Sequence, residues 1–144
     1  MAINDIEGAI EVTINNNCEN LVVGCLKKFC GVDIRDYPCW VKEIKNVVFP
    51  NLDIRLTWID LKLIHNENTI QLEWNESEKT YNMAEKLKFV IHMMVAHFPT
   101  IEFNGSFKIW GEHSGHISQI VVRDNKVYEK EVVIDYESGE EYEV

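Results

Sequence analysis

A short segment around residue 112 contains the residues whose types could do chemistry together. Glu112, His113 and His116 follow one another closely, and two imidazoles with a carboxylate can bind zinc or another divalent cation. The flanking Gly111 and Gly115 favour a turn, and the His-x-x-His spacing lacks the helical register of a zinc-peptidase motif. We therefore keep these three residues as candidate metal ligands, with a purely structural loop as the simpler interpretation.

The four cysteines are weaker candidates for chemistry. Cys18, Cys25, Cys30 and Cys39 are not spaced as the Cys-x-x-Cys pairs of a zinc ribbon. The spacing of Cys18 and Cys25 puts both on one face of a helix, where small side chains are commonly buried. Cys39 is the least clearly buried, but no base lies near it in sequence to activate a thiolate. We expect the cysteines to pack, and no nucleotide-binding or hydrolase motif is present elsewhere.

The acidic residues are concentrated at the C-terminal end. The chain has 144 residues and a formal net charge of −10. From residue 131 onward there are six acids and no Lys or Arg, so this segment contributes −6: Glu131, Asp135, Glu137, Glu140, Glu141 and Glu143. An acidic balance disfavours nucleic acids and anionic membranes as partners, because phosphate contacts depend on Lys and Arg. It favours a basic protein partner, or it serves solubility alone.

The composition predicts a globular protein with one domain. Hydrophobic residues make up 46% of the chain, which is enough for a core without disulfides at this length. The first residues lack the basic and then apolar pattern of a secretory signal, and no apolar run is long enough for a membrane span. We expect a cytosolic protein, with a domain over residues 1–136 and an acidic tail over residues 137–144.

Hydrophobic periodicity predicts strands and helices in alternation. Ile10 to Ile14 alternates as a half-buried strand, and a helix follows and stops at Gly31. After a loop, Cys39 to Val47 forms a short second helix or turn. A strand-rich stretch then contains a hairpin, whose turn lies at residues 66–68 and whose second strand covers residues 70–74.

The second half is predicted to contain one long helix and three strands. Asn75 and Ser77 are candidates for the helix cap, and the apolar period runs from Ala84 to Phe98, where Pro99 ends the helix. Its C-terminal half is apolar nearly all round, which indicates packing; a homo-oligomer surface near Met93-Met94 is the alternative. Gly105 marks a point in the first strand where another group can approach closely. The last two strands are joined at Asp124-Asn125, because both residues tolerate left-handed backbone geometry.

The element order predicts an α+β fold. Strand-helix-strand-strand-helix-strand is the ferredoxin-like split unit, and here an extra C-terminal β-hairpin follows it. We expect an antiparallel sheet with the helices on one face. Trp110 lies off the apolar phase of its strand and is expected to point away from the core. A tryptophan beside acids is the kind of residue that anchors an interface.

The C-terminal third of the chain carries a recognisable series of short motifs. They are His97-Phe98-Pro99, the segment from Ile101 to Phe107, Gly111-Glu112, Gly115-His116-Ile117 and the segment from Val121 to Tyr128. On these features, residues 84–134 resemble small acidic proteins of phages and mobile elements of Gram-positive bacteria. The resemblance implies a ferredoxin-like fold and attaches no catalytic residue to the pattern. Such relatives often carry an acid where this chain has His116. Small acidic phage proteins include inhibitors of bacterial defence, anti-CRISPR proteins among them.

These observations lead to two hypotheses of different classes. The first is a non-enzymatic inhibitor that needs no cofactor and blocks a basic nucleic-acid-handling protein or ribonucleoprotein, such as a CRISPR effector, without touching nucleic acid itself. Its partner-binding residues would be Trp110, Glu129, Glu131, Asp135, Glu137, Glu140, Glu141 and Glu143. The second is a metal-dependent enzyme that acts on a nucleotide or nucleic acid through Glu112, His113 and His116.

Overall fold

The computed structural model describes residues 3–14, 17–43, 58–67, 69–77, 82–111 and 116–133. The elements in chain order are β1 (Ile3–Thr13), α1 (Glu19–Lys27), α2 (Pro38–Glu43), β2 (Leu61–Asn66), β3 (Thr69–Trp74), α3 (Met83–His97), β4 (Glu102–Gly111), β5 (His116–Arg123) and β6 (Lys126–Val133). A single 3-10 turn at Ile34–Asp36 precedes α2. Within these ranges, no helix combines the length and the apolarity that crossing a bilayer requires.

The six strands form one sheet in the order β2-β3-β1-β4-β5-β6, and every neighbouring pair is antiparallel. The predicted α+β class with an antiparallel sheet is therefore confirmed, while the ferredoxin-like arrangement stays a prediction. β1 lies in the interior of the sheet between β3 and β4. It begins at Ile3 rather than at Ile10, because the alternating pattern continues on both sides of Gly8.

The core lies between one face of the sheet and the helices. Alternate residues of β1 and β4 are buried, among them Ile10, Phe103 and Phe107, which are 0% exposed. The helices contribute to the same apolar cluster from α1 (Val22, Val23, Leu26) and from α3 (Met83, Leu87, Phe89, Val90, Ile91, Met94). Met93 packs against this cluster, so the packing interpretation of the apolar end of α3 is confirmed.

A group of aromatic rings joins the helices to one another. Trp40 of α2 stacks on Tyr37 with 4.0 Å between ring centroids and on Phe29 with 4.6 Å. Phe89 of α3 meets the rings of Phe29 and Trp40 edge-on, at 5.9 Å in each case. Such pairs add about 0.5–1.5 kcal/mol each to the area that they bury, so they fix where α2 sits.

One buried ion pair crosses the core. The Lys86 ammonium of α3 donates to Asp60 Oδ2 at 3.0 Å, and the two side chains are 3% and 5% exposed. Burial lowers the pKa of Lys86, and the Asp60 carboxylate opposes that effect. The pair ties α3 to the segment before β2, where Ile59 also exchanges backbone hydrogen bonds with Gly31 and Val32.

Two local predictions about the C-terminal strands are confirmed. Asp124 and Asn125 have φ values of 52° and 61° and join β5 to β6 in a two-residue turn. A Cβ on Gly105 would lie 2.3 Å from a backbone oxygen of β1, so the close approach expected there is present. The Asn125 side chain also donates to the Ile101 carbonyl and accepts the backbone N–H of Phe103, which fixes the turn against the start of β4.

Candidate interaction surface

One face of the sheet is left uncovered by the helices. Strand register and burial divide the residues of each strand between a buried face and this second face, on which none of the described side chains is buried. We call its part on β1, β4, β5 and β6 the open face. Its residues with described side chains are Asp5, Glu7, Ala9, Glu11, Thr13, Glu102, Asn104, Ser106, Lys108, Trp110, Ile117, Gln119, Val121, Arg123, Lys126, Tyr128 and Lys130.

Three of the four acids of the open face lie along β1, and the fourth, Glu102, is the first residue of β4. Asp5, Glu7 and Glu11 are all exposed, because they alternate with the core residues of the strand. The register with β4 places Asp5 opposite Trp110 and Glu7 opposite Lys108. Trp110 is half-buried and lies on the open face, as the phase of its strand predicts. A large aromatic side chain is therefore set beside a row of carboxylates.

The bases of the open face lie on β4, β5 and β6. Lys108, Arg123, Lys126 and Lys130 are all exposed. The Lys108 Nζ lies 5.0 Å from the centroid of the Trp110 ring, and the Arg123 guanidinium carbon lies 4.4 Å from that of Tyr128. Cations over aromatic faces gain about 0.5–1 kcal/mol at exposed sites, so these contacts hold the charges near the rings.

The predicted acidic partner residues do not surround Trp110 on this face. Glu129 is exposed but pairs with Ile120, whose side chain is buried, so its strand position belongs to the opposite face from Trp110. Glu131 occupies a position of the same phase, opposite Ser118. The remaining predicted acids lie outside the described residues, as does the proposed tail over residues 137–144: Asp135, Glu137, Glu140, Glu141 and Glu143.

The acids of β1, which lie on the same face as Trp110, were not predicted from the sequence as partner-binding residues. The signal was present, because Asp5, Glu7 and Glu11 alternate with Ile6, Ile10 and Val12 as expected for a strand with one buried face. Gly8 interrupts that pattern, and a glycine inside a run of this kind is easily taken for the end of a strand.

The candidate metal residues fall mostly outside the described residues. This applies to Glu112 and His113, whereas His116 is the first residue of β5 and pairs with Val133. Among the residues that the structure does describe, no group of three or more His, Cys, Asp or Glu side chains could hold a metal ion. The hypothesis of a divalent metal at this segment stays a prediction.

Two of the cysteines, Cys25 and Cys30, lie where burial disfavours the thiolate. Burial raises the pKa of Cys30 to about 11 and also raises the pKa of Cys25, which disfavours the nucleophilic form. Cys18, Cys25 and Cys30 pack against the core, as expected, and Cys39 is exposed. Packing therefore explains Cys18, Cys25 and Cys30, whereas the expectation that the cysteines pack is wrong for Cys39.

An open depression of about 290 Å³ lies at one end of β1 and β3. Three of its lining residues are the acids Glu11, Glu19 and Glu67. Glu19 Oε1 lies 3.0 Å from His65 Nε2, so one of the three already has a partner on β2. The depression therefore adds negative charge to the β1 side of the molecule.

Three comparisons with known proteins, against family models, curated proteins and solved structures, found no match to this chain. The open face, with acids on one side and bases and aromatic rings on the other, is therefore the feature from which a function can be inferred.

Proposed function

We propose that this protein is a non-enzymatic inhibitor of phage or mobile-element origin that binds a basic, nucleic-acid-handling protein, such as a CRISPR effector. The observation that carries the proposal is the position of Trp110 beside the exposed carboxylates of Asp5 and Glu7 on the open face. Tryptophan is enriched among the residues that dominate binding energy, and acids around it select a partner of opposite charge.

The β1 acids form a line of negative charges along one strand. Asp5 and Glu7 are alternate residues about 7 Å apart, and Glu11 lies about 13 Å further along, because Ala9 occupies the position between. A basic groove attracts such a line from a distance, and the attraction weakens as salt is added. The C-terminal acids, Glu129 among them, would be a second negative region for such a partner, separate from the open face.

The finer fold assignment and the location belong to the same proposal. We infer that β1, α1, β2, β3, α3 and β4 form a ferredoxin-like split unit. The sheet has six strands, and its order differs from that of a ferredoxin-like sheet. The position of β1 between β3 and β4 nevertheless supports a split arrangement. A cytosolic location follows from the kind of partner, since proteins that handle nucleic acids in bacterial defence act inside the cell.

The proposal can be tested by capturing the partner with matched charge variants. The tagged protein is incubated with host-cell lysate at low and at high salt, and bound proteins are identified by mass spectrometry. Four further baits are compared: Glu7→Lys with Glu11→Lys, Trp110→Ala, Glu129→Lys, and Asp36→Lys. Asp36 is an exposed acid of the 3-10 turn outside the sheet, so it controls for a change of charge alone.

We expect one basic protein or ribonucleoprotein to be retained at low salt and released at high salt. The open-face variants should weaken its binding at least tenfold, and Asp36→Lys should leave it unchanged. Binding that survives both open-face variants would overturn the use of this face. A Glu129→Lys variant that alone abolishes binding would move the site to the C-terminal acids. Stoichiometric zinc in purified protein that captures nothing would favour the metal-dependent enzyme instead.

A further inference from the structure

Most acids of the open face lie on β1, and its bases lie on β4, β5 and β6. The face is therefore complementary in charge to the open face of a second copy of the chain. We propose that the open faces of two copies of this chain pack against each other in a two-fold symmetric dimer, with β1 of one copy facing β6 of the other. The inference does not rest on the proposed function, because it concerns the protein alone.

The register of the sheet arranges the charges in rows that cross the strands. Glu7 pairs with Lys108, which pairs with Gln119, which in turn pairs with Lys130. One row therefore begins with an acid on β1 and ends with a base on β6. Glu11 pairs with Asn104 and Arg123 pairs with Lys126, and extending the β4–β5 register by one position beyond Gly105 and Val122 joins these pairs into a second such row.

A two-fold axis parallel to the strands and between β4 and β5 brings these rows together. A half turn about this axis keeps each row at its height but reverses the order of the strands. β1 then faces β6 of the second copy, and β4 faces β5. Glu7 comes to face Lys130 of the second copy, and Glu11 comes to face Lys126. Face-to-face sheets pack within about 30° of this alignment, which keeps these pairs within reach.

The uncharged positions of the open face match under the same operation. Trp110 on β4 comes to face Ile117 on β5 of the second copy, and both are half-buried in one chain. Ala9 comes to face Tyr128, whose side chain is 42% exposed and needs a small residue opposite. The Ala9–Tyr128 contact therefore lies between the two charged rows, and the Trp110–Ile117 contact lies on the other side of the Glu7 row, level with Asp5.

The division of charge selects a second copy over other occupants. The described open face carries four acids: Asp5, Glu7 and Glu11 lie on β1, and Glu102 is the first residue of β4, outside the two charged rows. Its four bases lie on β4, β5 and β6. A single-stranded nucleic acid could stack on the aromatic rings near these bases, but the acids of the same face would repel its phosphates. A surface that carries both signs on opposite sides is what an isologous interface needs, because the same patch must serve as both partners.

The size of the face sets the expected strength. Four strands at about 4.8 Å and eight residues at about 3.3 Å give roughly 500 Å² per copy, or about 1,000 Å² in total. This is the lower limit for a specific interface, so the dimer should dissociate on dilution. The β1 acids are covered in such a dimer. A second copy and the basic partner of the proposed function would therefore compete for the same acids on β1.

The experiment measures the mass of the full chain in solution with charge-reversed variants. Light scattering and sedimentation velocity are recorded from low micromolar to several hundred micromolar protein. One variant carries Glu7→Lys and Glu11→Lys, and the other carries Lys126→Glu and Lys130→Glu. All four positions are exposed, so each variant should fold, and circular dichroism checks that it does. The two variants are measured alone and mixed in equal amounts.

We expect the wild-type mass to rise from 16.8 kDa towards twice that value with concentration. Each variant alone should need at least tenfold more protein to dimerise, because acids then face acids or bases face bases. The mixture should recover the wild-type behaviour, since every facing pair again joins opposite charges. A wild-type protein that stays monomeric throughout would overturn the proposal, as would a dimer that neither variant weakens or a mixture that does not recover.

The same variants separate this inference from the proposed function. Lys126→Glu with Lys130→Glu removes the dimer but keeps the β1 acids and Trp110. It should therefore capture the basic partner at least as well as the wild type does. A monomeric wild type that still captures the partner contradicts the dimer alone, and a dimer that captures nothing contradicts the proposed function alone. A monomer that binds a fluorescent oligonucleotide, and loses it on Lys130→Glu, would assign the basic side to nucleic acid instead.

Discussion

The buried pair of Lys86 and Asp60 gives a direct test of how the core is held together. The two charged groups are 3.0 Å apart and their side chains are 3% and 5% exposed. Lys86→Met keeps nearly the same side-chain volume, so it removes the charge rather than the packing. Asp60 would then remain buried without its counter-ion. Breaking a buried pair in this way costs about 3–5 kcal/mol of unfolding free energy, a large part of the stability of a domain of this size.

Urea unfolding followed by tryptophan fluorescence measures that cost. A double variant, Lys86→Met with Asp60→Val, replaces the whole pair by apolar side chains and should recover stability to within about 1–2 kcal/mol of the wild type. The exposed Lys62→Met is the matched control and should change stability by less than about 0.5 kcal/mol. The reasoning is refuted if Lys86→Met costs no more than Lys62→Met, or if the double variant is as unstable as the single one.

The same pair also predicts a dependence on pH. The pKa of Lys86 in the folded protein is lowered from its ordinary value of 10.5, with burial as the main cause. Between the folded pKa and 10.5 the unfolded chain binds more protons than the folded one, so this residue makes stability rise with pH. The Lys86→Met variant should lack that rise, and the difference between the two stability curves isolates it.

Three further predictions concern single residues in other parts of the fold. Burial raises the pKa of Cys30 from 9.0 to about 11. The contribution of this thiol to the free energy of unfolding should therefore fall by about 2–3 kcal/mol as the pH rises through that range. Denaturation curves of Cys30→Ala should lack this fall. Gly105→Ala should lower the free energy of unfolding by about 2 kcal/mol or more, because its Cβ would lie 2.3 Å from a carbonyl oxygen of β1 and its φ is +149°. Gly24 in α1 has open space around it, so Gly24→Ala should instead stabilise the protein by about 0.5–1 kcal/mol. Thermal unfolding measures both. Asn125→Gly keeps the turn geometry but loses two hydrogen bonds to the start of β4 and should cost about 1–3 kcal/mol, whereas Asp124→Gly should change stability by less than about 0.5 kcal/mol. Equal effects within either matched pair of substitutions would contradict the contacts on which these predictions depend.

Features set by neighbouring residues could be predicted from the sequence. The turn at Asp124-Asn125 needs only two residues that tolerate positive φ, and both have it. The apolar period from Ala84 to Phe98 predicted the body of α3 and its end within one residue, but the cap candidates Asn75 and Ser77 lie well before its first residue, Met83. The hairpin of β2 and β3 was expected for the same reason, since each strand alternates and polar residues separate them.

Features that depend on contacts between distant segments could not be predicted. Lys86 is one charged residue within an apolar helix face, and nothing near it indicates that Asp60 approaches from another segment. The same limit applied to the candidate site. The strand phase of Trp110 placed it on the outer face, but its neighbours on that face depend on which strand lies beside β4. That strand is β1, so the nearby acid is Asp5 and not Glu129.

The charge of a strand segment is itself a poor guide to the surface that it forms. In β6, Lys126 and Lys130 alternate with Glu129 and Glu131, so the sequence of this strand appears almost neutral. Successive residues of a strand belong to opposite faces, and this periodicity separates the two bases from the two acids. The acidic C-terminal composition therefore conceals a basic edge of the open face. The strand order places this basic edge three strands away from the acids of β1. Because the two charges are separated in this way, the open face is complementary to the open face of a second copy.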